Sequence, residues 1–392
     1  MSFLNRFATL SSTLFASSLW AHNAKPVLAN PDLLRAIGAK IVAEDSGVAF
    51  SYLTPKQEEQ VSIEAHKQGH CGGYQALEAV PAKISDLFEV FKAQAKRTAV
   101  MESRIERKQN IADALAMVSP AEQSDFVTWF SSYRTRFHKA TTSNVPVLAL
   151  RDKLVALVGA ERPYVTVETV DHKTTPQKSI RVHIEGSPRP SEIVAFGAHL
   201  DSISYEKDKT APGADDNGSG SSNVMELLRV MLLLPRPERS IEFFWYAGEE
   251  VGLFGSTAIA SSYKNLGKDV VAVMQFDMTL HPGSGEGVIA TETDFTNPWL
   301  RSLFSQLNYL YVKAKIVKDK CGYACSDHAS WHQKGFATVY PFESDGNDMN
   351  QKLHTPKDLI DSRSSFSHSA IFTKLGLAMA LELGNSQLRP PN

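Results

Sequence analysis

The chain has 392 residues, 43% hydrophobic and 21% charged, with a formal net charge of −2. That balance suits a folded protein with a large core and an extra segment, and no long basic run implies nucleic acid or an anionic membrane as a partner. The most apolar internal stretch, Val224 to Leu234, is short and carries Glu226 and Arg229, so no membrane span is expected.

Arg6 precedes a modest apolar run, Phe7 to Ala16, and then the small-residue segment Ser17-Ser18-Leu19-Trp20-Ala21. This is the order of an export signal, so residues 1–21 are read as a signal peptide and the protein as secreted. Residues 22–107 are rich in Ala, Lys, Glu and Gln and end in basic residues from Lys96-Arg97 through Arg104 to Arg107. A segment of that texture between a signal and a core reads as a propeptide, with a small permanent helical domain as the competing reading. Residues 108–392 are then the main folded domain, the one expected to carry the function.

In that domain helical periodicity fits Ala121 to Phe137 and Val145 to Val158. Strand-like runs follow at Ser179 to Ile184, Ile193 to His199, Ile241 to Ala247, Val270 to Met278, Val288 to Thr291 and Ala337 to Phe342. Helical stretches lie between them at Gly220 to Leu234, Val251 to Tyr263, Pro298 to Leu310 and Ser330 to Lys334, and Phe366 to Leu383 closes the chain. Such alternation predicts an α/β fold with a mixed, largely parallel sheet sandwiched by helices.

Polar residues recur where these strands end. One run leads into His199-Leu200-Asp201, the next into Glu249-Glu250 and the third into Asp277. The loop Ala211 to Gly220 carries Asp215 and Asp216 just before a helix. Carboxyl ends of strands form the binding crevice of open α/β sheets. The Glu249-Glu250 pair follows an apolar strand, and neither Lys nor Arg occurs from Ala247 through Tyr263, so a metal ion is the expected counter-charge. Imidazole nitrogen with several carboxylates suits zinc, and a shared carboxylate suits two metals. Asp201 is placed to accept the second N–H of His199. Met225, Leu227, Leu228, Met231 and Leu232 are read as a core stripe.

Three cysteines are present. Cys321 and Cys325 suit a small disulfide loop in an oxidising compartment, with a zinc or redox pair as the alternative. Cys71 reads either as a free thiol in a discarded segment or as a thiolate that holds a zinc and keeps a precursor inactive.

The motifs Ala198-His199-Leu200-Asp201-Ser202, Pro212-Gly213-Ala214-Asp215-Asp216-Asn217, Tyr246-Ala247-Gly248-Glu249-Glu250-Val251-Gly252, Phe276-Asp277-Met278 and His354-Thr355 occur in this order. Cys321 to His332 and Pro341-Phe342-Glu343-Ser344 add to them. In these stretches the chain resembles the secreted bacterial zinc leucyl aminopeptidases of metallopeptidase clan MH, the Vibrio-type family. The resemblance implies a zinc exopeptidase fold and two Zn²⁺ per chain. His199 and Asp277 would hold one zinc, Glu250 and His354 the other, and Asp216 would bridge both. It also implies a cis bond between Asp216 and Asn217, Glu249 as general base, Asp201 behind His199, Tyr323 at the oxyanion and a Cys321–Cys325 disulfide.

Peptides with a free N-terminus are the implied partners, and the family's secreted members are commonly monomers. Met278, Cys325, Phe342, Gly346, Met349 and Leu353 are the expected substrate pocket. Gly346 and Met349 replace aromatic rings of close relatives, and Asp345 replaces a basic residue of one, which predicts a wider, more negative pocket admitting Lys or Arg beside Leu or Phe. His328 and His332 are read as structural and Asp215 as a loop residue. Other classes on the same scaffold are carboxypeptidases, single-zinc glutaminyl cyclases and receptor-like modules without catalysis.

Overall fold

The computed structural model describes residues 24–391 except 46, 69–71, 90–104, 107 and 207–208. The signal segment, Cys71 and most of the basic cluster lie outside the described residues. Short apolar runs at the start form strands β1 (Lys25–Ala29), β2 (Ile41–Asp45), β3 (Val48–Leu53) and β4 (Tyr74–Ala76). They build an antiparallel sheet of order β2-β3-β1-β4. The helix Pro55–Lys67 begins with Thr54 and Gln57 in a reciprocal capping box, with Pro55 at its first position. Val61 and Ala65 of that helix pack on Val27, Ala29 and Leu53. This corrects the helical reading of the segment, whose described part is a small sheet with a helix packed on it; the strands are too short to mark themselves in the composition.

The rest of the chain adds β5 (Val165–Val170), β6 (Ser179–Ile184), β7 (Arg189–His199), β8 (Arg239–Tyr246), β9 (Asp269–Gln275), β10 (Val288–Glu292), β11 (Lys315–Asp319), β12 (Thr338–Val339) and β13 (Pro341–Phe342). Six of these form one sheet of order β12-β9-β7-β8-β6-β5. Its pairs are parallel from β12 across to β8 and antiparallel from β8 to β5. The mixed, largely parallel sheet is therefore as expected.

Both faces of the central strands are covered. Val194, Phe196 and Ala198 of β7 and Phe243 and Trp245 of β8 enter one core with the helices Gly220–Met231 and Phe366–Gly384. Ile193, Ala195, Phe244 and Tyr246 enter the opposite core with Ile259, Ala260 and Trp331. Burial on two sides explains why these strands read as continuous apolar runs.

Two edge strands, β5 and β11, were not foreseen, because polar residues alternate through them and no apolar run marks them. The run Ala337 to Phe342 divides between two sheets, since β12 pairs with β9 while β13 pairs with β10. The helix expected to reach Phe137 ends at Phe130. Ser131 and Ser132 hydroxyls donate to the carbonyls of Val127 and Trp129 there, and the chain turns inward to bury Arg136.

Candidate metal centre

β7, β8 and β9 are adjacent and parallel, so their carboxyl ends open on one crevice. His199 is the last residue of β7, Glu249 and Glu250 follow β8, and Asp277 follows β9. The connection after β7 carries Asp216 to the start of the helix Gly220–Met231, and the loop after β13 carries His354. All six side chains are buried.

His199 Nε2 lies 3.1 Å from Asp216 Oδ1 and 3.3 Å from Asp277 Oδ1. His354 Nε2 lies 3.0 Å from Asp216 Oδ2 and 2.7 Å from Glu250 Oε2. The two oxygens of Asp216 thus face two triads, His199–Asp216–Asp277 and Asp216–Glu250–His354, each with its donor atoms within 4.8 Å of one another. Glu249 Oε2 stands apart from both, 3.9 Å from His199 Nε2.

His199 Nε2, Asp277 Oδ1 and both oxygens of Glu249 and Glu250 are buried with no hydrogen bond among the described residues. Buried polar atoms are normally satisfied. Burial pushes the Glu249 carboxyl well above the usual range; His199 opposes the shift and Asp277, Asp327 and Glu250 add to it. Burial and then Asp216 push Glu250 up to about 7. Converging imidazole and carboxylate donors with unmet bonding and excess negative charge fit zinc in both triads.

Local structure holds these groups in place. The Asp216–Asn217 bond is cis, as the resemblance implied. Asn217 Nδ2 donates to the Phe276 carbonyl at 2.9 Å, and its Oδ1 accepts from Gly220 N at 2.8 Å, tying the Asp216 turn to the end of β9. A Cβ on Gly220 would fall 2.3 Å from Asn217 Oδ1 and 2.4 Å from the Phe276 carbonyl, so only glycine permits this approach. Asp201 has a larger part than expected. The Asp201 carbonyl is 3.2 Å from His199 Nδ1, and its carboxylate accepts the backbone N–H groups of Glu249 at 3.0 Å and Glu250 at 3.3 Å.

Several supporting residues were not legible beforehand. The Arg136 guanidinium is wholly buried and donates to the carbonyls of Phe130, Leu200, Pro212 and Gly213, joining both ends of the loop that carries Asp216. The Asp358 carboxylate accepts from Asp215 N at 3.1 Å and Asp216 N at 3.0 Å. Ser326 donates to Asp277 Oδ2 at 2.6 Å. No local spacing marks these residues, since each partner is remote in sequence. His328 packs on Tyr340 and His332 on Phe295, outside both triads.

Tyr340, whose hydroxyl donates to the Asp277 carbonyl at 3.3 Å, lines a cavity of about 160 Å³ together with Tyr323, Cys325, Phe342, Gly346 and Met349. Met278 and Leu353, next in sequence to Asp277 and His354, belong to the same apolar cluster. Four of the six expected pocket residues thus line this cavity with Tyr323, and Met278 and Leu353 are fully buried in the apolar cluster that adjoins it. Cys321 and Cys325 are joined as a disulfide. Among the described residues no helix is long and apolar enough to cross a membrane.

Known proteins are similar to this chain in sequence and fold. Residues 179–374 match Peptidase family M28. Leucine aminopeptidase 1 of Uncinocarpus reesii is 35% identical over 302 residues, covering 73% of this chain and 75% of its own. The crystal structure of the Legionella pneumophila LapA aminopeptidase is similar at 26% identity and a TM-score of 0.79, covering 93% of this chain and 99% of that one. LapB from the same organism is similar at 27% identity and a TM-score of 0.80, covering 93% and 100%. With its buried donor sets at the strand ends, the chain belongs to peptidase family M28 and is a zinc-dependent aminopeptidase.

Proposed function

We propose that the protein is a secreted di-zinc aminopeptidase, made as a latent precursor, that removes large N-terminal residues from peptides. The observation that carries this reading is the pair of triads sharing Asp216. His199 and Asp277 would hold one zinc, Glu250 and His354 the other, with Asp216 common to both. Zinc, when bound, supplies Lewis acidity to the scissile carbonyl and to water. Glu249, unshared with either triad, takes the proton of the attacking water and delivers it to the leaving amine. Asp201 keeps Glu249 and Glu250 in register through their backbone N–H groups. Tyr323 is assigned to the developing oxyanion. The substrate's free α-amine is taken on the side of Glu250 and His354, which restricts cleavage to the first residue.

Zinc analysis with a chromogenic assay tests the reading. Two zincs per chain and hydrolysis of Leu-p-nitroanilide, with N-acetyl-Leu-p-nitroanilide inert, are the expected results. One zinc with cyclisation of N-terminal glutamine alone would place the protein with the glutaminyl cyclases instead.

Latency is supported by how the N-terminal unit sits. The ring of His66, from the helix Pro55–Lys67, lies 5.5 Å from that of His354 and 5.8 Å from that of Tyr205. Gln68 lines the substrate cavity. Tyr74 donates to the Val251 carbonyl at 2.8 Å, and Ala76 N to the Gly252 carbonyl at 3.0 Å, so the unit grips the loop directly after Glu249-Glu250. The chain rejoins the larger unit from Ile105 onward, whose N–H donates to Gln306 at 3.4 Å, and Lys108 follows with its N–H on the Tyr311 hydroxyl and its ammonium on Glu382; the boundary at residues 107 and 108 is retained from the composition of the segment. Cleavage there with release of residues 22–107 should raise kcat/KM about tenfold or more, as expected when a covering group leaves a site. Equal activity of precursor and cleaved protein counts against latency.

A further inference from the structure

The cavity beside the metal centre has a wall that the apolar reading of the pocket does not explain. Glu292 and Asp319, which also line it, are the last residues of β10 and β11 and stand opposite each other in that parallel pair. The Glu292 side chain is 2% exposed. Its Oε2 accepts the Cys321 N–H at 3.0 Å. A carboxyl in that position without a cation is costly. Asp319 is held on the same wall by N–H groups of Lys320 at 2.7 Å and Gly346 at 2.6 Å. A Cβ at position 346 would fall 2.8 Å from Asp319 Oδ2, so glycine there is what lets the loop approach this acid.

We infer that Glu292 and Asp319 form the recognition point for a cationic N-terminal side chain, so that the enzyme takes substrates beginning with Lys or Arg. Tyr323, Tyr340, Phe342 and Met349 provide apolar walls for the methylene stem, and the two acids receive the ammonium or guanidinium. Lys320 is the single cation on the lining, and it is exposed. Burial, and then Asp319 and Asp294, push the Glu292 carboxyl up to about 9. An arriving cation reverses that balance and favours the carboxylate. A metal is the other occupant to weigh, because Glu292, Asp294 and Cys321 have donor atoms within 4.8 Å of one another. Cys321 is tied to Cys325, however, and a disulfide sulfur is not the thiolate such a site needs.

This inference rests on the aminopeptidase reading above, and its test separates the two. The full-length protein, cleaved to its active form, is assayed with Lys-, Arg-, Leu- and norleucine-p-nitroanilides. Norleucine has the lysine stem without the charge. The wild type is expected to favour Lys over norleucine, and Glu292→Gln to lower the Lys-to-norleucine ratio of kcat/KM by about thirtyfold or more, the scale of one lost buried charge pairing. Asp319→Asn gives the same readout should Glu292→Gln not fold. Negligible Lys and Arg cleavage by an enzyme active on Leu overturns the inference alone, as does an unchanged ratio in the variants. Absence of activity on all four substrates overturns the aminopeptidase reading.

Discussion

Replacing Glu249 with Gln should lower kcat by roughly 10²- to 10⁴-fold, the usual contribution of a positioned acid–base group. Zinc content should remain at the wild-type value, because both Glu249 oxygens lie outside the two triads. KM should change little, since the group acts on a proton that moves only in the transition state. This combination distinguishes a base from a ligand. Its neighbour supplies the control: Glu250 Oε2 lies 2.7 Å from His354 Nε2, so Glu250→Gln should lose metal as well as rate. Steady-state kinetics with metal analysis on each variant decides the matter. Retention of most of kcat in Glu249→Gln removes it from the role assigned.

The second large effect is expected at Asp216. Its two oxygens lie 3.1 Å from His199 Nε2 and 3.0 Å from His354 Nε2, so it is the one side chain common to both donor sets. Asp216→Asn keeps the size but removes the charge and makes one of the two atoms a donor. Zinc content should fall from two to one or less, and activity with it. Stability should fall too, because a ligand present at a hundred times its Kd contributes about 2.7 kcal/mol to the folded state. The same loss should appear when the wild type is dialysed against chelator, where buried acids are left to repel one another. Metal analysis and thermal melts with and without chelator measure both. An Asp216→Asn protein that still binds two zincs would falsify the bridging assignment.

Much of the centre was readable beforehand for a definite reason. The residues that carry charge stand at the ends of β7, β8 and β9, where a buried apolar run stops and a polar residue becomes conspicuous. His199, Glu249, Glu250 and Asp277 all have that setting. Of the apolar side of the pocket, Phe342 falls in a matching motif and Leu353 directly precedes His354, whereas Met349 departs from the family pattern.

Other features had no such setting. Arg136 sits in a run that reads as helix, and its role appears only when its guanidinium meets carbonyls from Phe130 to Gly213. Asp358 works through backbone N–H groups more than a hundred residues earlier in the chain. Pairing of β10 with β11 is what sets Glu292 opposite Asp319, and β11 carried no apolar signal of its own.

The division of roles between Glu249 and Glu250 is what the resemblance to a family implies, whereas the sequence by itself determined the fold class and which charged side chains stand at strand ends. Those depend on residue type and on position at strand ends, which are local properties. Tertiary structure alone decided which oxygens of Asp216 face which imidazole, what pins the Asp216 loop, how His66 lies against His354 and which acids wall the substrate cavity. These are contacts between groups far apart along the chain, and their distances follow from register and packing rather than from composition.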